Sequence, residues 1–267
     1  MPRLPFCLLV LLIFGLLFAA PAAAQTLPPE GRVADRNTNS WLMYNGDFRL
    51  VGRWGVHTEA QWRRARVLRD PMQNFLRAGI NYHASDNLML TAGYAFADTY
   101  PYGDYPAPAS FPEHRLYQQV VLRDNDGWLQ VQHRYRLEQR WVRFANQTDF
   151  TYLNRLRYQL RLAAPLVGSK IAPRTPYLVV SDEAFVNFGG NVANNIFDQN
   201  RLYGAVGYLI KSGVSVEAGY LHHLVQQRNG RVFEHNHTLQ LGLTLNLDWR
   251  RKAALAEPTA PQPMPAQ

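Results

Sequence analysis

Apolar and polar residues alternate with a period of two over nearly the whole chain beyond residue 40, the pattern of strands with one wet and one apolar face. Between Trp54 and Arg63, Trp54, Val56, Thr58, Ala60 and Trp62 share one face and His57, Glu59, Gln61 and Arg63 the other. Leu76, Ala78, Ile80 and Tyr82 alternate with Arg77, Gly79, Asn81 and His83, and Leu88, Leu90, Ala92, Tyr94 and Phe96 with small residues. Leu129, Val131, His133, Tyr135, Leu137 and Trp141 oppose Gln130, Gln132, Arg134, Arg136, Glu138 and Arg140. Leu156, Tyr158, Leu160 and Leu162 oppose Arg155, Arg157, Gln159 and Arg161. Leu202, Val206, Tyr208 and Ile210, then Val214, Val216, Ala218 and Tyr220, continue the series. It closes with Leu239, Leu241, Leu243, Leu245 and Leu247 against Thr238, Gln240, Gly242, Thr244 and Asn246.

These segments are longer than the roughly 5–6 residues of an ordinary strand and match the roughly 9–11 that a tilted membrane strand needs. Short turns at 85–87, 124–127 and 211–213 mostly alternate with longer connections at 99–112, 145–150, 188–196 and 227–231. That is the rhythm of short periplasmic turns and longer outer loops. The connection 164–175 departs from it, being long on the side of the short turns. The expected fold is an all-β, transmembrane, antiparallel up-and-down β-barrel of 10–12 strands over residues 40–249. Trp54 to Asp248 supplies ten strands and Trp41 to Phe48 an eleventh. Because bacterial single-chain barrels have even numbers, either that first segment is not a full strand or residues before Trp41 supply a twelfth.

The two ends change the picture in favour of export. Arg3, the apolar run Cys7 to Phe18 and Ala22-Ala23-Ala24 form a signal peptide over 1–24 that is cleaved before Gln25. Residues 25–39 read as an N-terminal periplasmic segment or linker. The tail 250–267 holds five Ala and four Pro and reads as disordered. The single Cys of the chain is Cys7, so the mature protein has no disulfide to hold it. No other apolar run is long enough for a membrane helix, which leaves a closed barrel as the way to satisfy every backbone group in a bilayer.

Charge adds candidate chemistry. The formal net charge is +8, and of 28 basic residues three are Lys and the rest Arg. An exported chain meets no nucleic acid routinely. The expected partners are outer-membrane lipid and lipopolysaccharide, with the barrel insertion machinery during assembly. Gln240-x-Gly242-x-x-Leu245-x-Leu247 has the polar-x-Gly-x-x-apolar-x-apolar form of a terminal insertion signal. Alternation points Glu59, Arg63, Arg77, Glu113, Arg115, Arg134, Arg136, Glu138, Arg140, Arg155, Arg157, Arg161, Glu183, Arg201 and Glu217 into the lumen, because an outward Arg costs about 2–4 kcal/mol at the midplane. They can fill the lumen as a mutually paired network, or line an anion-preferring, porin-like path.

If Asn229-Gly230 forms a two-residue hairpin turn, Arg228 pairs with Arg231 and His222 falls opposite His237, with His235 diagonal to both. These three outward histidines are expected at the rim, against lipid headgroups, rather than around a metal. His83-x-Ser85 matches the base and nucleophile of barrel-embedded lipid hydrolases, but no third group is placed to orient the base. No P-loop, dinucleotide fingerprint or metalloprotease helix occurs. The expectation is a non-enzyme with no cofactor, located in the bacterial outer membrane and acting as a structural or envelope-interaction protein. Its expected recognition surface is loop 99–112, with Tyr100, Tyr102, Tyr105 and Phe111.

Five stretches carry a family resemblance. They are Trp41-x-x-Tyr44-x-Gly46-Asp47, Trp54 to Arg64 (WGVHTEAQWRR), His133 to Arg140 (HRYRLEQR), Asp182-Glu183-x-Phe185-Val186-Asn187, and Phe197 to Tyr203 (FDQNRLY). Together they span residues 40–247, and the chain resembles the bacterial outer-membrane family catalogued as domain of unknown function 2490. The resemblance implies an outer-membrane barrel and supplies no activity, substrate or catalytic residue.

Overall fold

The computed structural model describes residues 31–250 apart from 126 and 146. The signal peptide 1–24, residues 25–30 and the tail beyond Arg250 lie outside the described residues. The alternating segments form eleven strands: β1 (Val33–Val51), β2 (Trp54–Ala65), β3 (Asp70–His83), β4 (Leu88–Thr99), β5 (Phe111–Asp124), β6 (Gln130–Val142), β7 (Thr151–Pro165), β8 (Thr175–Phe188), β9 (Phe197–Lys211), β10 (Val214–Gln226) and β11 (Val232–Asp248). Consecutive strands pair antiparallel and the sheet closes on itself through β1 and β11. Among the described residues no helix is long and apolar enough to cross a membrane, a statement that leaves strands aside.

The number is odd, so neither way of restoring an even count holds. Residues before Trp41 extend the first strand back to Val33 instead of supplying a twelfth, and the Trp41 to Phe48 segment is a full strand. Val33–Asn39, expected in a periplasmic linker, is therefore barrel wall. With eleven strands the first and last point the same way, and closure is parallel, running from Val33↔Val232 to Arg49↔Asp248. This seam works because the polar phases coincide: Asn39 and Asn236 both face inward and are joined by an Asn39 Nδ2–H···Oδ1 Asn236 bond of 3.0 Å. Parallel closure also puts the start of β1 and the end of β11 on opposite rims.

The seam has a direct test. With Cys7 in the cleaved segment, Thr38→Cys with His237→Cys places two thiols on paired, exposed positions of β1 and β11. Neighbouring strands bring Cα atoms within the 4.4–6.8 Å that a disulfide spans. We expect oxidation to cross-link the folded barrel, seen as a reductant-sensitive gel shift of the unfolded chain. Under an even-stranded antiparallel closure these two positions would lie at different heights and no cross-link would form.

One rim, called lower here, carries the connections 52–53, 84–87, 125–129, 166–174 and 212–213; the upper rim carries 66–69, 100–110, 143–150, 189–196 and 227–231. The long lower connection that breaks the rhythm turns back inward, packing Ile171 against the lumenal cluster that contains Tyr177 and Val179. The outward face is apolar and uncovered: Leu76 is 62% exposed and Ile80 60%. Outward polar groups pair across strands. Gln118 and Gln139 exchange bonds of 3.2 and 3.0 Å, and Asn200 Nδ2 donates to Asp182 at 2.7 Å. Aromatic pairs stand near both ends of the strands, with Trp141 beside Tyr152 above and Trp54 beside Tyr82 below.

Candidate functional site

The expected lumenal set converges inside the barrel. On β6, Arg134, Arg136, Glu138 and Arg140 lie two apart and so share the inner face. Glu138 is fully buried. Its Oε2 accepts from Arg155 Nε and Nη2 at 2.9 and 2.6 Å, and its Oε1 from Arg157 Nη1 at 2.8 Å and Arg77 Nη2 at 3.3 Å. Arg155 and Arg157 come from the neighbouring strand β7, whereas Arg77 reaches over from β3, three strands away, so this one carboxylate ties non-adjacent strands together. Glu183 on β8 accepts from Arg157 at 3.0 and 2.7 Å and from Arg134 at 2.9 Å. Glu113 takes Arg115 as a fork, at 2.6 and 2.8 Å, and Arg140 as well. Glu59 accepts from Arg77, and Glu217, nearer the lower rim, from Arg161 and from Tyr177 at 2.9 Å. Charge-assisted, forked bonds of this kind offset much of the cost of taking ions out of water.

Rings complete the lattice. Phe185 lies under Arg157, Arg201 and Arg155 at 4.3, 4.7 and 5.2 Å from the guanidinium carbon to the ring centre. Tyr117 serves Arg77 and Arg136, and Phe75 serves Arg77 and Arg115. A guanidinium is planar and weakly hydrated, so it stacks where a lysine ammonium would not. These aromatics were not picked out from the sequence, although the signal was present: Phe75 and Arg77, Arg115 and Tyr117, and Glu183 and Phe185 are each two apart and share a face. Asp198, bonded to Arg155 Nη1 at 2.8 Å, was also missed. It sits where the β8–β9 register slips between Phe185 and Val186, so an extra residue turns it inward against the parity of Arg201.

The lattice divides the lumen. Below it lies a cavity of about 440 Å³ reached by Asp47, Arg123, Arg134, Arg161 and Glu217. Above it lies one of about 370 Å³ bounded by Arg63, Arg115, Arg140, Arg201 and loop 99–112. That loop folds over the barrel mouth. Tyr102, expected on an outward surface, turns inward and donates to Glu234, while Gln227 Nε2 donates to the Tyr105 carbonyl at 2.9 Å. Burial and the adjacent Glu234 carboxylate hold the Tyr102 phenol well above its usual range, which keeps it a neutral donor.

The histidines are where the register argument put them, on the outer face, but the turn differs. Gln227 N–H donates to the Val232 carbonyl at 3.0 Å, closing a four-residue loop, and Asn229 Oδ1 accepts from the N–H groups of Arg231 and Val232. Arg228 and Arg231 therefore do not pair. The register survives because the longer loop is centred on the same Asn229–Gly230 bond, and His222 still faces His237. His235 Nδ1 and His222 Nε2 are 3.4 Å apart, and the Tyr220 hydroxyl lies 2.6 Å from His237 Nδ1. Among the described residues no group of three or more His, Cys, Asp or Glu is arranged to hold a metal ion. The Ser85 hydroxyl of the His83-x-Ser85 pair accepts from the N–H groups of Asn87 and Leu88 within its own turn.

A closed eleven-stranded barrel with a buried arginine–carboxylate lattice is thus the class of protein that fold and interior define. The chain belongs to the family described as protein of unknown function, DUF2490, whose family model matches residues 38–234. No curated protein and no solved structure matches it.

Proposed function

We propose that this protein is an integral barrel of the bacterial outer membrane, closed to solutes, that serves the envelope as a structural or interaction element and has no catalytic role. The placement is supported by the uncovered apolar outer face, the cross-strand pairing of its polar exceptions and the aromatic pairs near both ends. The observation that carries the closed lumen is Glu138, bonded at once to Arg155 and Arg157 on one wall and to Arg77 on another. Its partners in this reading are outer-membrane lipid and lipopolysaccharide, with the insertion machinery acting on β11 during assembly.

A narrow anion path is the second reading, favoured by one feature: Arg157 and Arg201 line both the lower and the upper cavity. Single-channel recording on the refolded mature chain in a planar bilayer separates the two. We expect no steady current from wild type. A steady, anion-preferring current that weakens in Arg134→Glu with Arg136→Glu would make the protein a channel and overturn the closed reading.

A further inference from the structure

The lattice pairs its charges unevenly: among its described residues Arg63, Arg136 and Arg201 have no carboxylate within hydrogen-bond reach, and two of the three, Arg63 and Arg201, border the upper cavity. Among the described residues Arg63, 7% exposed, makes no ion pair; its Nε donates to Gln61 at 2.9 Å, and its guanidinium lies 3.9 Å over the Trp41 ring. Arg201 stands 5.1 Å from the same ring. Its nearest carboxylate oxygen, on Glu183, is 4.0 Å away, beyond hydrogen-bond reach, and its Nε has no partner. The Trp41 indole N–H, on a side chain 1% exposed, is unpartnered too. A buried cation without a bonded carboxylate is costly. Here two guanidiniums, both bordering the upper cavity, flank one tryptophan and hydrogen-bond only to the neutral Gln61 and Gln199, with the Glu183 carboxylate 4.0 Å from Arg201.

The wall opposite has a different character. Tyr102, Tyr105, Pro106, Pro108 and Phe111 of the overlying loop line the same cavity. Rings and prolines offer flat apolar surface with few polar tips, suited to the face of a sugar or another ring. The volume of about 370 Å³ lies in the range of small-molecule sites.

We infer that the upper cavity is a binding site for a small organic oxyanion, a phosphate or carboxylate carried on a sugar-sized body, with the oxyanion held by Arg63 and Arg201 and the body under the Tyr102–Phe111 loop. This deepens the envelope-interaction reading and rests on the closed lumen, which makes the cavity a dead end rather than a passage. Either head group suits a guanidinium fork.

Isothermal titration of the refolded mature protein tests it, with glucose 6-phosphate, glucuronate, inorganic phosphate and glucose as probes. One or both sugar anions should bind saturably, and glucose should not. Inorganic phosphate should bind at least about tenfold more weakly than glucose 6-phosphate, since it lacks the body. Which sugar anion binds more tightly identifies the head group. Arg63→Met with Arg201→Met should weaken binding by at least about tenfold, whereas Arg134→Met in the lower cavity should leave it unchanged. Tyr105→Ala, a change in the exposed loop that leaves the barrel strands intact, should narrow the gap between glucose 6-phosphate and inorganic phosphate. No saturable heat from either sugar anion, or binding unaltered in a folded Arg63→Met, Arg201→Met barrel, overturns the site. Equal affinity for inorganic phosphate and glucose 6-phosphate overturns the role of the loop. Failure here with an electrically silent barrel removes the ligand site alone; a conducting wild-type barrel removes the closed reading whatever the titration gives.

Discussion

Glu138→Gln should destabilise the barrel by about 3–5 kcal/mol, the cost of removing one partner from a buried ionic network. The side chain it replaces is fully buried and accepts from three arginines. The amide keeps the shape but loses the charge, and its NH₂ end turns a donor toward groups that can only donate. Arg77, Arg157 and Arg155 keep Glu59, Glu183 and Asp198, so the barrel should still form, with a lower midpoint in urea. Glu217→Gln is the matched control. Its carboxylate is 12% and its partner Arg161 26% exposed near the lower rim, so water reaches this pair and its loss should cost less than that of the fully buried Glu138. Combining Arg155→Met with Glu138→Gln should cost less than the sum of the two single changes, because the pair is directly bonded and so coupled. Equal midpoints for Glu138→Gln and Glu217→Gln would show that the lattice is wet and contributes little.

The second large effect concerns the outer face. Leu76→Arg should cost about 2–4 kcal/mol for folding into phospholipid vesicles, since Leu76 stands midway along β3, outward and 62% exposed. Thr244→Arg, on β11 and bordering the lower cavity, should cost below about 1 kcal/mol because its charge meets a polar lumen. The contrast discriminates sharply: on a barrel surrounded by water, Leu76→Arg would be neutral or would improve solubility. Equal costs at the two positions would remove the membrane reading, while the cavity argument, which depends on the lumen, would stand.

Inside and outside are legible in the sequence because strand periodicity is two: once Leu76 is outward, Arg77 must be inward. That parity placed all fifteen expected lumenal residues on the polar phase. The Asn229-Gly230 turn centre set the His222–His237 register, which survives the different turn type because both turns share that centre. Asp198 escaped because a register slip breaks parity locally. The inward aromatics escaped because polarity, not phase, was used to choose lumenal residues. Trp41 shows the limit most clearly: its position two residues from Asn39 implies the inner face, yet nothing local says that Arg63 and Arg201 would meet there.

Alternation, strand length and turn composition were local properties, and they determined that this chain makes a long-stranded all-β wall with one apolar and one arginine-rich face. Closure is not local. Whether eleven segments end in a parallel seam depends on two strands 199 positions apart finding matching polar phases, and that is settled only when the sheet curls round. The same holds for the interior. Which arginine reaches which carboxylate is decided by distances across the lumen, from β3 to β6 or β7 to β9, so the surplus around Trp41 comes into being only when the walls meet.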